Sequence, residues 1–107
     1  MNKYHARKVT VDGIEFDSRR EANRYAELMV MQRAGMITDL RRQEEFELIP
    51  KCGKERAAKY HADFSYTDTA TGKKVVEDVK SRATKTKDYI LRRKLMNWRY
   101  GIEIQEV

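Results

Sequence analysis

Apolar residues recur along this chain with two periods, and the switches between them divide it into elements. From Lys8 to Phe16, Val9, Val11, Ile14 and Phe16 alternate around Asp12-Gly13. That dipeptide tolerates the positive φ angles of a tight turn, so a small hairpin is expected. Met1 to Arg7 is polar and basic and reads as a mobile arm. Ser18 and Glu21 stand at capping-box spacing and Ala34-Gly35 supplies a stop, which predicts a helix from Ser18 to about Arg33. Its apolar stripe is Ala22, Tyr25, Ala26, Leu28 and Met29, with Arg20, Arg24 and Glu27 opposite. In projection Glu21 falls between Tyr25 and Leu28, on the core side, an unusual place for a solvated glutamate.

Beyond Ile37 and Leu40 the period shortens to two. Glu45 to Pro50 reads as a short strand with Phe46, Leu48 and Pro50 on one face, followed by a basic loop, Lys51 to Arg56. Ala58 to Thr67 alternates as one strand, with Tyr60, Ala62, Phe64 and Tyr66 on one face and His61, Asp63 and Ser65 on the other. Thr71-Gly72-Lys73 is a turn, and Lys74 to Lys80 returns as a second strand of the same hairpin. Thr86 to Tyr100 is helical, with Leu91, Leu95 and Trp98 on one stripe and a stop at Gly101. Tyr25, Tyr89, Trp98 and Tyr100, at helical spacing, read as core packing rather than base-stacking platforms. Ile102 to Val107 closes the chain as a strand, with Ile102, Ile104 and Glu106 on one face.

The order helix, strand, strand, strand, helix, strand predicts an α/β (α+β) domain over residues 1–107, a mixed sheet with helices packed on it. A strand reached through a crossover helix should lie parallel to an earlier one. The length, 107 residues, suits one such domain with a thin core.

Charge then narrows the partner. Lys and Arg number 23 against 17 Asp and Glu, a net charge of +6 that favours a polyanion. Cys52 is the only cysteine, which excludes an intrachain disulfide and Cys-pair zinc sites and suits a reducing, cytoplasmic setting. No apolar run approaches the about 20 residues of a membrane helix, and no membrane partner is expected.

Candidate chemistry gathers on the central strands. Asp78 and Lys80 are two apart, so their side chains leave the same face. Asp63 lies on the neighbouring hairpin strand, close enough to approach Asp78, and Glu21 joins them if its helix packs over that part of the sheet. Three converging carboxylates raise one another's pKa unless a hard cation neutralises them. Mg²⁺, with Mn²⁺ as a substitute, accepts carboxylate oxygens and bridges to phosphate, so an acidic cluster on a basic chain fits phosphodiester hydrolysis. Lys80 is placed to stabilise charge on the scissile phosphate or to orient an attacking water.

The run YHADFSYTDTATGKKVVEDVKS, Tyr60 to Ser81, resembles the PD-(D/E)XK nuclease superfamily, and FDSRREANRYAEL and YGIEIQEV resemble flanking blocks of a small phage-encoded family within it, similar in architecture to Holliday-junction resolvases. The resemblance spans nearly the whole chain. It implies a restriction-endonuclease-like αβββαβ core with an added N-terminal hairpin. Asp63 would be the first strand acid, Asp78 the second, Lys80 the lysine and Glu21 the acid of the first helix. Ala62 stands where the motif has proline, a departure that removes no ligand.

Bland readings stand beside these. Glu21 serves as a helix cap; Asp78 and Lys80 form a surface pair of about 0–1 kcal/mol; Glu45 or Glu47 supplies an acid instead of Glu21; a bulge substitutes Glu77 for Asp78. His61 is an exposed strand histidine. Gln43 reaches the site from the approach to the first central strand, and Arg92, Arg93, Lys94 and Arg99 contact DNA phosphates or form an ordinary solvated face. The expected function is a Mg²⁺-dependent DNA endonuclease, with branched DNA and a homodimer suited to paired cuts by analogy. The alternative is a non-catalytic nucleic-acid-binding module that keeps the fold.

Overall fold

The computed structural model describes residues 8–79 and 85–107. The expected arm and Lys80 lie outside the described residues. Ten elements follow in order: β1 (Val9–Val11), β2 (Ile14–Phe16), α1 (Arg19–Arg33), β3 (Ile37–Arg42), β4 (Glu45–Ile49), β5 (Ala58–His61), β6 (Phe64–Asp68), β7 (Lys74–Asp78), α2 (Lys87–Tyr100) and β8 (Gln105–Glu106).

Local chemistry sets the boundaries. Asp12 and Gly13 both hold positive φ, 51° and 77°, which turns β1 into β2. Ser18 Oγ accepts from the Glu21 amide (3.1 Å) and Thr86 Oγ1 from the Tyr89 amide (3.1 Å), each satisfying a helix N–H that has no backbone partner. Gly101, at φ 66°, ends α2 with its amide bonded to Asn97 O.

The architecture is α+β. A four-stranded mixed sheet runs β3-β6-β7-β8, with β3, β6 and β7 antiparallel and β8 parallel to β7 beyond the α2 crossover, as the strand order predicts. On one side Phe64 and Tyr66 pack with Phe16, Ala22, Tyr25 and Leu28, so α1 and the β1–β2 hairpin cover that face. On the other, Val76 packs with Tyr60, Tyr89, Met96 and Ile104, under α2 and the separate β4–β5 hairpin. Among the described residues no helix is long and apolar enough to cross a membrane.

Several expectations are corrected. The first strand of the main sheet is β3, not Glu45–Pro50. Its sequence, ITDLRR, is mostly polar because it lies at the sheet edge, and a register shift between Thr38 and Arg41, with Asp39 at φ 57°, hides its alternation. Gln32 Oε1 accepts the Leu40 amide (3.0 Å) in that bulge.

The expected continuous strand Ala58–Thr67 breaks at Ala62-Asp63. β5 pairs with β4 while β6 joins the main sheet, so Tyr60 and Phe64 reach different cores. The last strand is reduced to Gln105–Glu106. Arg24, expected in solvent, folds back onto the sheet. Helix α2 is rotated from the expected stripe: Tyr89 and Met96 are buried and Leu95 packs against the same core, while Leu91 (55% exposed), Trp98 (78%) and Tyr100 (41%) are not buried.

Candidate functional site

The site forms at the end of β7. Strand alternation sends neighbouring acids to opposite sides, and each meets a different fate. Glu77, buried, faces α1 and is gripped by Arg24 through Nε (2.8 Å) and Nη2 (2.6 Å), with the Tyr66 hydroxyl donating to the same carboxylate. Both of its oxygens already accept hydrogen bonds, so Glu77 is a structural anchor rather than the substitute ligand a bulge would make it. Asp78, 5% exposed, faces the α2 side and accepts from Tyr60 Oη (2.7 Å).

Asp63 sits in the corner where the chain leaves β5 for β6. That break re-aims its side chain: Oδ2 accepts the Val79 amide (2.7 Å), and its carboxyl also hydrogen-bonds Asp78. Burial, reinforced by that contact, pushes the Asp63 carboxyl up to about 7, against the lowering effect of the Val79 N–H. The two carboxyl groups thus meet in a poorly solvated corner.

Glu21, in the first turn of α1, is half-buried beside them. Burial raises its pKa, and Asp17 and Asp78 add to the effect, while Arg42 opposes it. Glu21, Asp63 and Asp78 line one cavity of about 730 Å³, together with Tyr60, Tyr89, His61 and Arg92. The sequence-predicted acids therefore come together in space. Among the described residues, no group of three His, Cys, Asp or Glu side chains converges closely enough to hold a metal ion in this arrangement. The donor chemistry nevertheless suits a hard cation, since carboxylate oxygens are its preferred ligands and its charge would offset the burial that disfavours ionised Asp63 and Glu21.

The remaining candidates scatter. Glu45 bonds Lys59 (3.0 Å) and His61 (3.0 Å), and Glu47 bonds Arg99 (3.4 Å), both at the surface and outside the cavity. Gln43 is exposed; its amide donates to Asp63 O (3.3 Å), but its side chain does not line the cavity. Of the basic residues on α2, Arg92 lines the site, held by Asp88 Oδ2 (2.9 Å) and the Lys59 carbonyl. Arg93 is turned to Glu106 (2.8 Å), Lys94 lies beside it, and Arg99 reaches β4, because successive helix positions rotate by about 100°.

Two site residues escaped the sequence reading. Tyr60 and Tyr89 fit the apolar alternation, yet each hydroxyl meets an acid: Tyr60 with Asp78, and Tyr89 with Glu106 (2.7 Å). Burial first, then the adjoining carboxylate, holds both phenols above their ordinary range. Their only signal was a hydroxyl at a position that reads as core.

Residues 1–106 match the model of a family described as a protein of unknown function, DUF1064. The chain belongs to the DUF1064 family. No curated protein and no solved structure matches it. The cavity with its carboxyl pair is therefore the most direct guide to what this DUF1064 protein does.

Proposed function

We propose that this DUF1064 protein is a metal-dependent endonuclease that hydrolyses phosphodiester bonds in DNA, built on a restriction-endonuclease-like core of the PD-(D/E)XK type. The observation that carries the proposal is the hydrogen-bonded Asp63–Asp78 pair, with Glu21 in the same cavity, on a chain of net charge +6. Connectivity supports it too: α1, β3, β6, β7, α2 and β8 follow the αβββαβ order, with β1–β2 added before it and β4–β5 inserted within it.

Glu21, Asp63 and Asp78 would hold Mg²⁺ or Mn²⁺, which when bound supplies Lewis acidity towards a phosphodiester oxygen. The chain's own groups do the rest. Tyr60 Oη occupies one oxygen of Asp78 and the Val79 amide one oxygen of Asp63, so each carboxylate is oriented rather than free to rotate. Without the metal, burial and the neighbouring acid push the Asp63 carboxyl up to about 7, so cation binding there would displace its proton. Arg92, at the cavity wall, faces an incoming backbone, and the D-x-K spacing assigns Lys80 to stabilising charge at phosphorus. Branched DNA is the favoured substrate by analogy, and a symmetric pair of subunits would suit paired cuts on it.

The test incubates the purified protein with labelled four-way junction, flap, duplex and single-stranded DNA, in Mg²⁺, Mn²⁺ or EDTA, beside Asp78→Asn and Lys80→Ala. Metal-dependent cutting by the wild type, lost in both variants while DNA binding persists, is the expected result. Salt-sensitive binding without cutting of any substrate would replace the nuclease with a binding module.

A further inference from the structure

Most half-buried arginines in this protein are committed to an acid. Arg24 is held by Glu77, Arg92 by Asp88 and Arg93 by Glu106. Arg42, the last residue of β3, is different. Its Nε is buried and has no hydrogen-bond partner, the only such side-chain nitrogen or oxygen found among the described residues. The guanidinium instead lies over the Phe16 ring, 4.7 Å from its centroid. Stacking on an aromatic face stabilises a cation by about 0.5–2 kcal/mol, but a buried N–H without an acceptor costs about 1–3 kcal/mol. The two terms are of similar size and largely offset, and leaving this conformer breaks no Nε hydrogen bond.

Its position ties it to the site. Arg42 pairs with Phe64, the residue after Asp63, and the Gln43 amide that follows it donates to Asp63 O. It also lies close enough to Glu21 to act on that carboxyl electrostatically. A guanidinium offers Nε and Nη as a fork that fits two oxygens on one atom.

We propose that Arg42 is a substrate-contacting residue, whose fork leaves Phe16 to bind a non-bridging phosphate oxygen pair of the nucleic-acid backbone where it passes Glu21. This inference rests on the nucleic-acid reading of the cavity that Glu21 lines, and names a phosphate contact beside it. The bland alternative is that Arg42 only packs on Phe16 or balances Glu21.

The experiment compares wild type, Arg42→Met and Arg42→Lys, all full-length, on labelled duplex and four-way junction DNA in EDTA, across a salt series. Methionine keeps an apolar shaft over Phe16, and lysine keeps charge without the fork, so a loss shared by both is not a packing loss; thermal melting checks that each folds. Expected is about a tenfold weaker binding for Arg42→Met, with the log–log salt slope reduced by about 1, and only partial recovery in Arg42→Lys. A scan of single methylphosphonates, each removing one phosphate charge, then locates the contact. One position should weaken wild type several-fold and leave Arg42→Met unaffected. Wild-type affinity and an unchanged phosphate profile in Arg42→Met would overturn the assignment while leaving the nuclease reading intact. Absence of salt-sensitive binding by wild type would overturn both.

Discussion

Tyr60 Oη donates to Asp78 Oδ2 over 2.7 Å, which fastens the β4–β5 hairpin to an acid of the main sheet. The ring belongs to the core under α2 and the hydroxyl belongs to the site. Core packing and contact with the candidate site thus meet in one side chain, and removing the hydroxyl alone separates them.

Tyr60→Phe keeps the ring and should cost only about 1 kcal/mol of stability. Metal affinity or metal-dependent cleavage should fall by more, about tenfold, because a ligand's supporting hydrogen bond fixes its orientation. Denaturant unfolding and cleavage rates, measured on one preparation, check the two numbers against each other.

The Asp63 carboxyl, pushed up to about 7 from 3.8, makes metal-free stability fall with pH. The folded state keeps a proton that the unfolded chain has already released, so the stabilisation is complete below about 3.8 and lost as pH rises through about 7. Solvent screening trims the effect to about 1–2 kcal/mol. Asp63→Asn should melt several degrees higher than wild type at pH 8 without metal and show less of this slope between pH 5 and 7. A wild-type profile in the variant would place the titration elsewhere. By the same proton, cleavage in Mg²⁺ should rise through pH 7.

Arg24→Ala leaves Glu77 buried with Tyr66 but without its cation. Breaking a buried pair from one side costs about 3 kcal/mol, which for a domain of this size lowers Tm by more than about 10 °C. Because Glu77 faces away from the cavity, cleavage per folded molecule should hold near wild type at low temperature. A folded but inactive variant would show that Glu77 serves the site.

Trp98 is the sole tryptophan and is 78% exposed. Its fluorescence should resemble that of free tryptophan and be quenched by iodide as readily. A blue-shifted, protected signal would mean that α2 presents the Leu91-Leu95-Trp98 stripe inward after all.

That stripe shows where sequence pattern misleads. Leu91, Leu95 and Trp98 at helical spacing outweigh Tyr89 and Met96 in a periodicity reading, yet only Leu95 of the three packs on the core, beside the buried Tyr89 and Met96. Helix caps, the Asp12-Gly13 turn, the β6–β7 hairpin and the parallel last strand were legible because each rests on local chemistry. Strand β3 was not, being an edge strand with a bulge inside it.

The acids were legible as a set because Asp63 and Asp78 occupy adjoining strands and Glu21 a core-side helix position. The break at Ala62-Asp63 was invisible, since alternation continues unchanged across it while the chain changes sheets. Tyr60 and Arg42 were missed for one reason: their roles come from neighbours distant in sequence, Asp78 and Phe16.

On the proposed reading, Asp63 and Asp78 hold a divalent cation, and the Asp63 carboxyl, pushed up to about 7, carries the proton that the cation displaces. Calorimetric titration of Mg²⁺ into wild type and Asp78→Asn, at pH 6 and pH 8 in buffers of different ionisation enthalpy, tests it most directly. Wild type should bind at both pH values, more weakly at pH 6 with release of close to one proton and at pH 8 with almost none, and Asp78→Asn should bind at least about tenfold more weakly. Equal Mg²⁺ affinity in the two proteins, or no proton release at pH 6, would contradict it.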